Sequence, residues 1–303
     1  MRYYCVMKKV ILLFCLIFVF LVPVSLQAQQ NSLRDQIVQI AKPTKGIVGV
    51  SILNIENGDT VNYNGGARLV MQSVMKFPIA LTILHWVDSG KISLTQLIHL
   101  KRRDLPKNTF SPLRDKYPKG NVDISFAELL RYTVSLSDNN ACDILLSVLG
   151  GTKPVQDYML HLGIKNIAIN ASEAEMASAW EVQYTNWCKP LEMTQLLDRF
   201  YKGKVLTKTN TDFLYNLMTE TATGPNRIKS MLPAGTVVAH KTGSSGTNKE
   251  GLTPATNDVG IITLPNGKHI AISVFVCNST DDEATREGVI AKIAKAAYEF
   301  YNH

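Results

Sequence analysis

Ser73 and Lys76 stand three residues apart in the stretch Val70-Met71-Gln72-Ser73-Val74-Met75-Lys76-Phe77-Pro78. The apolar run continues to Val87 and stops at Asp88-Ser89-Gly90, the pattern of a buried helix ended by a glycine. Side chains three apart on a helix share a face, so the amine can accept the hydroxyl proton and leave a nucleophilic oxygen. A serine so placed needs no histidine. The same Ser-x-x-Lys spacing also occurs where a serine only caps a helix, so the rest of the chain must decide.

Two further stretches carry compatible chemistry. Ser135-Leu136-Ser137-Asp138-Asn139-Asn140 lies between two helical patterns, where Asp138 suits a helix cap and leaves Ser137 and Asn139 to point elsewhere. His240-Lys241-Thr242-Gly243-Ser244-Ser245-Gly246 closes a buried strand with a lysine and a glycine. Each triplet alone is ordinary. Together and in this order they resemble the three-part signature of class A β-lactamases and penicillin-binding proteins.

The elements that must bring these stretches together can be read along the chain. Met1 to about Ala28 has a basic start, an apolar core from Val10 to Val22 and a small residue at its end, the layout of a cleavable secretory leader. Its apolar run is shorter than the roughly 20 residues of a membrane-spanning helix, and Cys15 sits too deep in that run for a lipoprotein signal. The remaining chain of roughly 275 residues can bury a full core. Ile47–Asn54 and Thr60–Tyr63 flank Asn57-Gly58 as a hairpin. Helical patterns follow at 73–88, 125–135, 139–149, 155–162, 190–200 and 209–218. Strand patterns return at 236–241, 259–264 and 269–276, and an amphipathic helix runs from about Asp282 to Tyr301. Strands at both ends with helices between predict an α+β fold: a five-stranded antiparallel sheet flanked by helices, with an all-helical domain inserted. The expected divisions are a leader at 1–28, a discontinuous sheet domain at 29–68 plus 225–303, and a helical domain at 69–224, with a cleft at the seam.

Composition excludes several function classes. The chain has 32 basic and 25 acidic residues, a formal net charge of +7, and three of the basic residues belong to the leader. Lys101-Arg102-Arg103 is followed at once by Asp104 and no aromatic residue interleaves it, which reads as a solvated face and not a nucleic-acid surface. Of five cysteines, Cys142, Cys188 and Cys277 lie beyond the leader, with no spacing typical of zinc and room for at most one disulfide. His85, His161 and His269 fall in no ligand pattern, so neither a metal nor another cofactor is expected.

On the three triplets and on the order of strands and helices, the chain resembles a class A serine β-lactamase over nearly all its mature length. Gln72–Pro78, Thr223-Gly224-Pro225-Asn226-Arg227 and the stretch from Gly246 to Asp258, expected to be a long loop, are most similar to the PER- and VEB-type branch. The resemblance implies that Ser73 is acylated by a small-molecule β-lactam and that Ser73 and Ser244 supply the oxyanion-hole N–H groups. It leaves Lys76 and Glu173 as rival acylation bases. Ser137 would protonate the leaving nitrogen, and Asn139 would hold the side-chain acylamide. Lys241, Thr242 and Arg227 would bind the substrate carboxylate, and Phe110 of Phe110-Ser111-Pro112 would gate the cleft. Glu173, with Glu175 as a rival, would activate the deacylating water.

Three departures from the family pattern stand nearby. Ala174 replaces a frequent proline, so a trans bond is expected after Glu173. Ala171 and Asn186 replace a loop-pinning Arg and Asp, and Ala177 replaces the side chain that helps hold the water. The reading is a periplasmic, monomeric hydrolase without nucleic-acid partner or stable membrane association. The alternatives are a D-Ala-D-Ala peptidase and a β-lactam sensor that acylates without fast turnover.

Overall fold

The computed structural model describes residues 32–302, so the leader expected at 1–28 lies outside the described residues. Helix α1 (residues 32–41) buries Leu33, Ile37 and Ala41, spaced by four, and packs them on the sheet. The hairpin β1 (Ile47–Asn54) and β2 (Thr60–Tyr63) falls where the sequence placed it, with Gly58 at φ 80° in the turn. Short strand β3 (Leu69–Val70) leads into a 3-10 turn (Gln72–Met75) and then α2 (Lys76–Asp88). Next come β4 (Leu97–Leu100), α3 (Pro112–Lys116), β5 (Val122–Ser125), α4 (Phe126–Val134), α5 (Asn139–Leu149) and α6 (Lys153–His161). The chain continues through β6 (Ile167–Ala168), α7 (Glu173–Ser178), β7 (Trp187–Cys188), α8 (Pro190–Tyr201) and α9 (Lys208–Thr219). It closes with β8 (Val238–Ser244), β9 (Thr253–Thr263), β10 (His269–Ser279) and α10 (Glu283–Tyr301).

The main sheet runs β2-β1-β10-β9-β8, antiparallel throughout, and gives the α+β fold expected. Its inner strands are buried on both faces and divide their apolar residues by the two-residue period. Ile270, Ile272, Val274 and Val276 of β10 join α1 and α10 in one core, while Ala271, Phe275 and Cys277 face the helical layer in the other. Helix α2 runs through that second core and is buried on every side from Lys76 to Leu84, as a helix apolar all round must be.

Two expectations needed correction. Residues 253–258, expected to belong to a long loop, are strand: Thr256 pairs with Ser244 and Asp258 with Thr242, so the loop after β8 spans only 245–252. The run Thr253-Pro254-Ala255-Thr256 is too weakly apolar to signal a strand, and pairing on both sides imposes one. The short strands β3, β4, β5, β6 and β7 were also not foreseen. Each has two to four residues and no usable period.

Candidate active site

Ser73 lies in the 3-10 turn and not in the first α-helical turn; the step to Lys76 still closes the pair. Lys76 Nζ sits 3.0 Å from Ser73 Oγ, and no side chain caps α2, so Ser73 is not a capping serine. The turn begins with Gln72 at φ 48°, a conformation that costs a non-glycine residue about 1 kcal/mol or more. Neighbouring contacts hold it there. Asn257 of β9 donates Nδ2 to Val70 O (2.7 Å) and Met71 O (3.2 Å), and Met71 N–H donates to Asn186 O at 3.0 Å. Strand β8 presses against the same turn: a Cβ on Gly243 would stand 2.3 Å from Met71 O. Only glycine permits that approach, which sets Ser244 beside Ser73.

Lys76 is fully buried and has four oxygen neighbours. Besides Ser73 Oγ these are Ser137 O (2.8 Å), Asn139 Oδ1 (2.5 Å) and Glu173 Oε1 (2.9 Å). An ammonium has three N–H bonds for these four, and Ser73 Oγ in turn lies 3.4 Å from Glu173 Oε1, within reach to donate to it. Ser73, Lys76 and Glu173 thus form a closed triangle through which a proton can pass.

Ser137 stands between two lysines. Its backbone is at φ 57°, its carbonyl accepts from Lys76, and its Oγ accepts from Lys241 Nζ at 2.8 Å. Burial pushes the Lys241 amine well below the usual lysine range, and the nearby Lys76 charge pushes the same way. Asp138 caps α5 as expected, accepting from Ala141 N–H at 2.8 Å. It also accepts from Ser111 Oγ (2.9 Å) and Leu113 N–H (2.6 Å), which ties the Phe110-Ser111-Pro112 segment to the Ser137 turn. Phe110 itself is 58% exposed, and its carbonyl accepts from Asn139 N–H. Asn139 has both ends of its amide engaged, the second with Thr109 Oγ1 at 2.7 Å.

The residues expected to bind the carboxylate sit on β8 and against its end. Thr242 Oγ1 is 2.6 Å from Thr223 Oγ1 and is nearly buried. Arg227 is 4% exposed and points its guanidinium into the sheet edge: Nε pairs with Glu287 at 2.9 Å, and Nη1 donates to Gly243 O and Asn257 O. It touches the cleft through Nη2, which donates to Ser244 Oγ at 2.7 Å.

Glu173 opens the short helix α7, and capping gives Glu175 a different task. Ser172 and Glu175 form a reciprocal capping box, Glu175 accepting from Ser172 N–H at 2.7 Å, and these hydrogen bonds hold its carboxyl below the usual range. Glu175 faces solvent, whereas Glu173 is 7% exposed and faces Lys76. The sequence reading missed Asp143. From the next turn of α5 after Asn139, it accepts from Glu173 N–H (2.8 Å) and Ala174 N–H (2.9 Å) and so fixes the start of α7; burial pushes its carboxyl up to about 6. Asn186 is wholly buried and closes the loop's neck, accepting from Asn170 and Ala171 N–H and donating to Ala171 O. The bond after Glu173 is trans, as expected. Gln72, Asn139, Glu173, Ala177, Gln183 and Ser244 line a cleft of about 300 Å³.

A serine joined to a buried lysine and glutamate, where an antiparallel sheet meets a helical layer, defines an enzyme of serine acyl transfer. The chain belongs to the class A β-lactamases, in the branch of the PER and VEB enzymes: the Beta-lactamase enzyme family matches residues 32–301. Beta-lactamase VEB-1 of Pseudomonas aeruginosa is 42% identical over 298 residues, 98% of each chain. Extended-spectrum beta-lactamase PER-1 of the same organism is 41% identical over 273 residues, 90% of this chain and 88% of its own. Among solved structures, TLA-1 extended-spectrum β-lactamase is 50% identical with a TM-score of 0.89, covering 90% of this chain and 99% of its own.

Proposed function

We propose that this protein hydrolyses the β-lactam ring of penicillins and cephalosporins through an acyl-enzyme on Ser73, and so confers β-lactam resistance. The carrying observation is the Ser73–Lys76–Glu173 triangle, with sides of 3.0, 2.9 and 3.4 Å. Ser73 Oγ attacks the lactam carbonyl as its proton leaves through the triangle, to Glu173 directly or by way of Lys76. Backbone N–H groups of Ser73 and Ser244 receive the developing oxyanion, where one donor contributes about 3 kcal/mol. The C–N bond breaks, and Ser137 Oγ, backed by Lys241, passes a proton to the departing nitrogen. Lys241, Thr242 and the Ser244 hydroxyl take the substrate carboxylate, with Arg227 aligning Ser244 from behind. Asn139 holds the acylamide, and exposed Phe110 borders the entrance. Glu173 then activates water to release the product.

The finer assignments follow from the same reading. The chain is exported to the periplasm by the leader at 1–28 and acts there as a monomer; no helix among the described residues is long and apolar enough to cross a membrane. It divides into a sheet domain (29–68 plus 225–303) and a helical domain (69–224). Oxyimino cephalosporins fall within its range, a reading supported by the extended-spectrum name of the PER-1 relative. The peptidase and sensor alternatives lack a reason for a buried glutamate against the nucleophile's lysine. Purified protein mixed with a chromogenic cephalosporin tests the reading: repeated turnover is expected, and a single stoichiometric burst would assign a sensor or peptidase instead.

A further inference from the structure

We infer that the amide pair Gln72–Gln183 supplies the second hydrogen-bond partner of the deacylating water, a task that Ala177 cannot perform. The inference rests on Glu173 as the base of that step. In deacylation, water adds to the ester carbonyl carbon while Glu173 takes its proton. The carbon–Oγ bond then breaks and Ser73 Oγ recovers a proton. A carboxylate alone fixes one direction of the attacking water, and a second partner is needed to aim its lone pair at the carbonyl. Ala177 borders the cleft beside Glu173 and offers only a methyl group.

The neighbouring polar side chains differ in what they have left to offer. Asn139 has its oxygen on Lys76 and its nitrogen on Thr109, and the substrate's acylamide takes the N–H and lone pair it has left. Ser244 Oγ accepts from Arg227, and Ser245 Oγ is engaged with the Ala255 backbone in both directions. Trp180 has one N–H and no acceptor, and it is partly exposed. Gln183 is 5% exposed and lines the cleft. Its Oε1 accepts from Gln72 Nε2 at 2.6 Å and its Nε2 donates to Trp180 O at 2.8 Å, which leaves one N–H and one lone pair. Gln72 is the residue before the nucleophile, so this bond ties the reacting serine to the loop that carries Glu173. The orientation of both amides is fixed by the chain Gln72 to Gln183 to Trp180. A pair held this firmly, lining the same cleft as Glu173 and one residue before the acylated serine, is placed to hold a third group.

Gln183 is a positioning residue, and single-turnover mass spectrometry with a penicillin tests it. Gln183→Leu keeps the volume and removes the amide; its adduct should form within threefold of the parent rate but clear at least tenfold more slowly, about 1.4 kcal/mol of barrier. Adding Ala177→Asn, which restores an amide next to Glu173, should recover most of that loss. A merely structural role would slow both steps and resist rescue, and that result, or clearance at the parent rate, overturns the inference. Should Gln183→Leu fail to fold, Ala177→Asn in the otherwise native chain decides. A change in clearance below threefold supports the pair, and anything larger shows that the parent water lacked a second partner and overturns it. A parent that forms no adduct would strike the proposed function, and a Glu173→Gln variant that clears normally would strike Glu173, each separately from the glutamine pair.

Discussion

Ser73, Lys76, Ser137 and Lys241 could be read from the sequence because their spacing along one helix, one turn and one strand already limits where they point. Asp143 and Asn257 could not, and Asn186 read only as the loss of a pinning carboxylate. Each acts on a segment distant in sequence, through a backbone group that any residue would supply. Asp143 leads to a pH prediction with a definite sign. Its folded-state value of about 6 lies above the ordinary 3.8, so between those values the folded protein holds a proton that the unfolded chain has released. Its contribution to stability is therefore full below about pH 4 and is lost as pH rises through 6, by up to about 3 kcal/mol. Asp143→Asn removes that dependence. The melting temperature of the parent should fall relative to the variant between pH 4.5 and pH 7.5, and parallel profiles would show that Asp143 does not titrate there.

At the scale of elements, long periodic segments were legible and short or imposed ones were not. Strands β1 and β2 and helix α5 lie where their patterns put them, because a hairpin signal and a capping aspartate mark their ends. Helix α7 has six residues, too few for a period, although its Ser-x-x-Glu capping box stands in the sequence and separates Glu175 from Glu173. Two glycines of β8 and β9 permit close approaches that are visible only in three dimensions, Gly260 between the two strands and Gly243 between β8 and the Ser73 turn. A Cβ on Gly260 would stand 2.4 Å from Ala239 O and 2.7 Å from His240 Cβ. Gly260→Ala should therefore destabilise the protein by roughly 2 kcal/mol, lowering Tm by about 4–8 °C. Gly243→Ala should push β8 off the Met71 carbonyl and cut kcat/KM at least tenfold. A Gly243→Ala enzyme with parental kinetics would mean that Ser244 does not depend on this close approach to serve Ser73.

For the whole molecule, the sheet with its two cores is a platform and the helical layer a lid of fixed groups, and the reaction occupies their seam. β8 brings Lys241 and Ser244 from the sheet, α2 brings Lys76, the turn between α4 and α5 brings Ser137, α5 brings Asn139 and α7 brings Glu173. Substrate range belongs to this scale. The loop at 245–252 follows Ser244 at the cleft edge, and hydrolysis of an oxyimino cephalosporin no faster than in buffer would remove extended range from the account. Everything rests on the acylation of Ser73 and on its release by water that Glu173 directs. The decisive measurement is intact-mass spectrometry of the parent, of Glu173→Gln and of Ser73→Ala, sampled after mixing with a penicillin. The parent should show a transient adduct, Glu173→Gln a persistent one that maps to Ser73, and Ser73→Ala none. An adduct on Ser73→Ala, or clearance from Glu173→Gln as fast as from the parent, would contradict this.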